Sequence, residues 1–321
     1  MLLLIKYTLL YGIVLMLVAL GGMFSEHSGV INIALEGIMV VGGLAGVLVT
    51  ASLPTTMAPA LIVLAAVVAA AVCGMLYSLL LAFASINLKA DQTIGGTALN
   101  QFAPAFAVVM TWAIQGQGLT TIAIPSWVRI TRETFGLAPV EGPSFWNNLI
   151  FKYFYLTTPI AVILFIVAYI VMYKTRFGLR LRACGEHPQA ADSVGINVYR
   201  MRYAGVLISG FLGGVGGLAY VIPSVQTWNF EVGVAGTGFL ALAVMIFGQW
   251  KPFNIFGAAM FFAVFKSLAN IADSTVLAQL GWSSNIYNMM PFIASMVILA
   301  FTSKNSQAPK AEGIPYDKGS R

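Results

Sequence analysis

The stretch GVINIALEG, residues 29–37, sets an amide, Asn32, and a carboxylate, Glu36, four residues apart in an otherwise apolar run. On a helix they are i and i+4 neighbours on one face, and Gly43 and Thr50 fall on the same face. An ionised group inside a bilayer costs about 2.5–3.5 kcal/mol on insertion scales, so a carboxylate kept there has a task. Two tasks suit the spacing. Glu36 complements the dipole of its own helix from the first turn, within reach of headgroup water, or it gates or lines a path for a solute. Residues 92–111 repeat the arrangement: Thr93, Thr97, Asn100, Pro104 and Thr111 fall within one narrow sector, with Gln92 and Gly96 beside it. Two spans with one wet face each pack together as polar glue or line a common path. Glu36 and Lys266 are the main charges within the apolar runs. A small neutral solute rich in hydroxyls or amides therefore suits the stripes better than an ion. Lys266 shares a face with Asn270 and Asp273 near the end of its run and reads as a snorkelling side chain.

The missing chemistry narrows the function further. No G-x-x-x-x-G-K-[ST] phosphate loop is present, so the chain is not itself an ATPase. No G-x-S-x-G nucleophile elbow appears, and the two histidines, His27 and His187, stand apart at a run end and in a loop. Cys73 and Cys184 give neither a disulfide framework nor metal-ligand spacing. No catalytic residue, metal site or cofactor is expected, and with so few ionisable relays the driving energy comes from elsewhere.

The elements that must position these residues follow from composition. Of 321 residues, 59% are hydrophobic and only 9% charged, against about 25% charged in a soluble domain; the mean hydropathy is +0.86. This predicts an all-α, polytopic membrane bundle. Apolar runs place about nine spans, near 8–23, 30–51, 58–85, 93–114, 154–173, 203–222, 237–250, 254–271 and 284–301. The 237–250 run is short, and glycine and proline punctuate others, so broken or re-entrant helices are expected. In the sixth span Ser209, Gly213 and Gly217 form one small-residue row and Gly210 with Gly214 another, as close helix packing requires. Pro223 marks its end. The N-terminal run is long and lacks a basic start and cleavage site, so it reads as a retained span.

The net charge of +6 is concentrated in one loop, where Lys174, Arg176, Arg180, Arg182, Arg200 and Arg202 crowd together. Membrane topology accounts for that better than a nucleic-acid partner. With loop 174–202 in the cytoplasm, Lys89, Lys251 and the tail with Lys304, Lys310, Lys318 and Arg321 also fall inside, while the N-terminus, Glu231 and Asp273 fall outside. Lys6, Arg129, Arg132 and Lys152 go against the rule, and segment 116–152 is read as lying along the outer surface. Residues 1–302 then form the membrane domain, including the loop, and 303–321 a disordered cytoplasmic tail. Within the loop, Pro188 suits a first helical position, Gln189, Ala190 and Ala191 continue the helix, and Gly195 ends it. Such a helix either lies at the headgroups or enters a groove on a cytosolic partner.

These residues resemble a known family. FSEHSGVINIALEGIMVVGG, QTIGGTALN, FGLRLRACGEHPQAADSVGINV and GTGFLALAVMIFGQWKPFNIFGAA together are similar to the permease subunit of bacterial ABC importers of the branched-chain amino acid and simple-sugar type, nearest the nucleoside branch. The resemblance covers nearly the whole chain and implies a type II importer fold. It also implies a coupling helix over 185–195, including Gly185, Glu186 and His187, in the groove of a cytosolic ATPase subunit. Further implied partners are a second, different permease chain and an external binding protein, commonly a lipoprotein. By the same resemblance the spans around Asn32, Glu36 and Asn100 border the path, and the protein sits in the bacterial inner membrane. The chain departs from ribose-type relatives in lacking a further span before residue 8, and from the usual pattern at His187 and Lys251. Simple sugars such as galactofuranose or ribose, and riboflavin, are alternative solutes; an autonomous carrier or channel is the alternative class.

Overall fold

In hydrocarbon a backbone satisfies its own N–H and C=O groups only within a helix or a closed barrel, so the long apolar runs must become helices. The computed structural model describes residues 2–54, 56–116, 118, 121–123, 157–224, 227–230, 232–271, 284–302 and 308–319. In chain order the helices are α1 (Leu2–Glu26), α2 (Leu35–Ser52), α3 (Pro59–Ala82), α4 (Gln92–Gln115), α5 (Thr157–Lys174), α6 (Arg176–Glu186), α7 (Pro188–Ser193), α8 (Val198–Ser224), α9 (Thr237–Phe247), α10 (Pro252–Ile271) and α11 (Ser284–Thr302). One π-helical turn, Phe83–Asn87, extends α3. Two short strands, β1 (Thr121–Ala123) and β2 (Thr227–Asn229), pair antiparallel with Thr121 opposite Asn229. Seven of the helices are long and apolar enough to cross a membrane, and α9 is the shorter apolar one. The all-α, polytopic class holds, and α1–α5 with α8–α11 correspond to the nine expected spans.

The centre of the bundle is α8, against which α1, α2 and α3 all pack. The small-residue rows make that possible. A Cβ on Gly217 would collide with the Met39 carbonyl of α2, one on Gly214 with the Ala70 carbonyl of α3, and one on Gly210 with Ser78 and the Gly74 carbonyl. Backbones in contact over three helices leave little room for water and hold the core in one register.

One expectation fails at the start of α2. The helix begins at Leu35, not near residue 30, and Asn32 lies in non-helical chain. Asn32 and Glu36 therefore do not share a helix face. The cause is local: Ser28 Oγ donates to the Ser25 carbonyl at 2.6 Å, Ser25 Oγ donates to the Val30 carbonyl at 2.7 Å, and Gly29 turns the chain at φ +93°. These bonds stop α1 from continuing, and residues 30–34 enter the bundle as non-helical chain that turns at 33–34.

The loops predicted to share one side do gather on one face. His27 Nε2 meets the Trp250 carbonyl at 3.2 Å, Lys89 Nζ pairs with Asp317 at 2.8 Å, and Gly185 sits against the backbone of His27. The β1–β2 pair lies with the opposite set of helix ends. Arg129, Arg132, Lys152, Glu231, Asp273, Lys304 and Arg321 lie outside the described residues.

The tail corrects a second expectation. Residues 308–319, expected to be disordered, are seated on the basic face: Ala311 N donates to the Gly185 carbonyl at 2.8 Å and Gly313 N to the Gly29 carbonyl at 3.3 Å. Tyr316 is 4% exposed and packs with Cys184, Ala191 and Val198. Polar composition suggested solvation, but backbone bonds and one aromatic anchor suffice to hold the segment.

Candidate functional site

Non-helical chain at membrane depth needs a partner for every backbone polar group. For Val30 the partner is Ser25 of α1, and for Ile31 and Ile33 the partners are side chains of α4. Gln92 Oε1 accepts from Ile31 N at 2.7 Å. Asn100 spans the break, its Nδ2 donating to the Ile33 carbonyl at 2.8 Å and its Oδ1 accepting from Gly37 N at 2.8 Å. Asn32 Nδ2 donates to Ser209 Oγ at 2.8 Å. Both Asn32 and Asn100 are buried, so neither faces an opening in this conformation.

A second break lies before α9. At about 1.5 Å per residue, a helix of 11 residues spans only ~16 Å, near half of a ~30 Å hydrocarbon core. Its N-terminus thus sits deep in the bundle, preceded by turns over 232–236 in which Ala235 and Gly236 have positive φ. Glu36, in the first turn of α2, closes this end: Oε1 accepts from Gly236 N at 2.8 Å and Oε2 from Gly238 N at 2.6 Å. Lys266 of α10 points to the Ala235 carbonyl at 3.4 Å and exerts an attractive field on the same carboxylate. Glu36 therefore does complement a helix dipole, but that of α9 rather than of its own helix. Two interrupted helices are tied to each other by one carboxylate.

The α4 stripe divides. Asn100 faces the start of α2, and both it and Thr111 are buried, while Thr93 and Thr97 are exposed, with Gln101 beside them. Thr97 Oγ1 returns to the Thr93 carbonyl at 2.7 Å, a bond that leaves its oxygen able to accept from outside. Thr93, Ile94, Thr97, Ala98 and Gln101 line an open hollow of about 360 Å³. A larger hollow of about 410 Å³ between α2, α3 and α4 has apolar walls, including Leu44, Leu76, Phe102 and Met110. Its one hydroxyl, Tyr77, donates to the Leu99 carbonyl at 2.6 Å. A hydroxyl-rich solute gains nothing there.

On the basic face α6 and α7 meet at His187. Gly185 is buried against His27, Pro188 and Ala191 are buried, and Glu186, His187, Gln189 and Ala190 are exposed. Gly195 ends the segment at φ +83°, a conformation that favours glycine. Asp192 and Lys318 approach to 3.7 Å. Burial pushes the Cys184 thiol up to about 11 and holds His27 down at about 4, so neither ionises near neutrality. Trp250 Nε1 donates to Glu26, which joins the α9–α10 turn to the end of α1. Sequence reasoning passed over Gln101 and the Glu26–Trp250 pair and gave Gln92 and Ser209 no bonding role. Gln92 stood beside the stripe and Ser209 in a small-residue packing row, whereas Gln101, Glu26 and Trp250 gave no periodic signal. Among the described residues no group of His, Cys, Asp and Glu is arranged to hold a metal ion.

A membrane bundle with two interrupted helices and a helical loop on its basic face is the architecture of a transport permease. The model of the branched-chain amino acid transport system/permease component family matches residues 4–300, and the chain belongs to that family. It is 39% identical to the guanosine ABC transporter permease protein NupQ of Bacillus subtilis, over 98% of this chain and 96% of that one. It is equally 39% identical to the nucleoside ABC transporter permease protein NupC of Lactococcus lactis, over 97% and 95%. The glucose ABC transporter permease protein TsgB13 of Haloferax volcanii is 26% identical over 91% and 74%. No solved structure gives a significant match. The protein is a multi-pass membrane permease.

Proposed function

We propose that this chain is one permease subunit of an ATP-driven importer of nucleosides, paired with a second, different permease chain. A cytosolic ABC ATPase subunit, which performs the hydrolysis, docks on α6–α7, and an external binding protein held as a lipoprotein delivers the solute. The carrying observation is the outward polar row Thr93, Thr97 and Gln101 on a membrane helix. Lipid tails offer such groups no partner, so water and a second permease cover them, and a hydroxyl-bearing solute finds donors and acceptors along the way. Asn32, Glu36 and Asn100 stand behind this row and hold the breaks in α2 and α9. Interrupted helices are the elements that shift when access alternates.

Exposed Gln189 and Ala190 with Val194, 76% exposed, form a small knob that fits a groove on the ATPase subunit. Positive-inside bias sets the basic face and C-terminus in the cytoplasm of a bacterial cell and the N-terminus outside. The nucleoside assignment rests on NupQ and NupC; a simple sugar is the second reading, favoured by the more distant glucose permease TsgB13. The test uses Thr97→Cys in a chain whose Cys73 and Cys184 are replaced by alanine, within the assembled complex. A small hydrophilic thiol reagent should modify it, and an added nucleoside should slow the reaction while glucose does not. Ile163→Cys, on an exposed apolar stretch of α5, should stay unreactive. Equal reactivity at both sites, or protection by glucose alone, would refute the assignment.

A further inference from the structure

Residues 308–319 cross the basic face and touch three separate parts of it. At one end Ala311 N and Gly313 N hydrogen-bond the carbonyls of Gly185 at the close of α6 and Gly29 in the α1–α2 turn. In the middle Tyr316 sinks its ring beside Cys184 and Ala191, edge-on to Tyr199 at 5.4 Å. At the far end Asp317 pairs with Lys89 of the α3–α4 turn at 2.8 Å, and Lys318 approaches Asp192 of α7 at 3.7 Å. The helical loop alone has thin contact with the bundle. Its α6 packs on α5 and α8, and α7 packs chiefly on α6 and the start of α8. Without the tail, a push on α7 reaches the start of α2 through Gly185 against His27 and, less directly, through α8. With it, α7, the α1–α2 turn and the α3–α4 turn are bound into one piece, and the chain enters the broken stretch 30–34 directly from the Gly29 contact.

We propose that the C-terminal segment is a strap that positions the α6–α7 loop and passes its movement to the start of α2 and α4. The strap's anchoring residue is Tyr316, and its two outer ties are the Ala311–Gly185 bond and the Asp317–Lys89 pair. The inference rests on the ATPase subunit docking at α7, and its test separates the two. In a Cys73→Ala chain, Cys184 is the single thiol and lies fully buried beneath Tyr316. Tyr316→Ala, or removal of residues 308–321, should raise the labelling rate of Cys184 by a maleimide about tenfold, while Tyr316→Phe keeps it slow. This arm needs no partner.

In the second arm the assembled complex is reconstituted with either variant. The ATPase subunit should stay bound and hydrolyse ATP, whereas solute uptake per ATP should fall about tenfold, as a lost coupling between sites requires; Tyr316→Phe should restore it. Unchanged Cys184 labelling would show that the segment does not cover the loop and would overturn the strap. Unchanged uptake per ATP, or loss of the ATPase subunit with the tail, would overturn it too. If the intact chain retains no ATPase subunit, the functional reading fails instead, and the labelling arm still decides whether the strap is seated.

Discussion

Replacing Glu36 with glutamine changes one atom type in the bundle, and the structure sets what that change costs. The carboxylate accepts one backbone N–H on each oxygen, at 2.8 Å from Gly236 and 2.6 Å from Gly238. Hydrogen bonds to a charged group contribute about 1.5–3 kcal/mol each, and a charge at a partly buried helix terminus adds up to about 2 kcal/mol. Glutamine keeps one acceptor oxygen, but its amide presents N–H groups to the second glycine, leaving a buried donor unsatisfied at about 1–3 kcal/mol. Relief from desolvating a charge offsets part of this loss. The expected net is about 2–4 kcal/mol, well above the ~1 kcal/mol of an exposed helix-dipole interaction. Thermal unfolding of the purified protein in detergent measures it, and Glu36→Gln should melt several degrees below the parent. Glu36→Asp, charged but one methylene short, should fall between them. If the glutamine variant melts with the parent, Glu36 does not hold α9, and the tie between the two broken helices is wrong.

Other consequences are more local. Gly217→Ala should lower the melting temperature by the equivalent of about 1–3 kcal/mol, because the new methyl meets the Met39 carbonyl in a close helix crossing. Burial pushes the Glu312 carboxyl up to about 7, against the opposing bond from Glu26, the facing acid on α1. A carboxyl raised above its unfolded value of 4.5 favours the docked tail most below pH 4.5, and that contribution is lost as pH rises through 7. Cys184 labelling should therefore quicken between pH 6 and pH 8 more than the thiol's own titration explains, and Glu312→Gln should remove the excess. Cysteines at Ser193 and Thr56 test orientation: an impermeant reagent added to intact cells should modify Thr56→Cys and spare Ser193→Cys.

The spans were legible because hydropathy over about 20 residues is a local property, and the glycine rows of α8 because close packing needs small residues at helical spacing. Loop charge grouped the ends of the helices correctly on one face. The break before α2 was not legible. Val30, Ile31 and Ile33 are as apolar as any helix residue, and the side chains that hold this stretch out of a helix, Gln92, Asn100 and, through Asn32, Ser209, lie far along the chain. Glu36 finds its partners about 200 residues away, so its first-turn position pointed to the wrong dipole. Thr97 and Asn100 differ by only about 60° on a helical wheel, and a sector that narrow did not reveal that one faces outward and the other inward. The tail misled for a different reason: its order depends on backbone bonds and Tyr316, which composition does not register.

The central claim is that this chain forms a nucleoside path driven by a separate ATPase subunit. The most direct measurement is uptake of radiolabelled nucleosides into proteoliposomes holding the chain with its second permease and ATPase subunits, supplied with the binding protein on the opposite side. Saturable uptake that requires ATP, is competed by unlabelled nucleosides and not by glucose, and is lost in Thr97→Phe complexes that remain assembled is the predicted result. Uptake that persists without the ATPase subunit, or that responds to sugars and not to nucleosides, would contradict it.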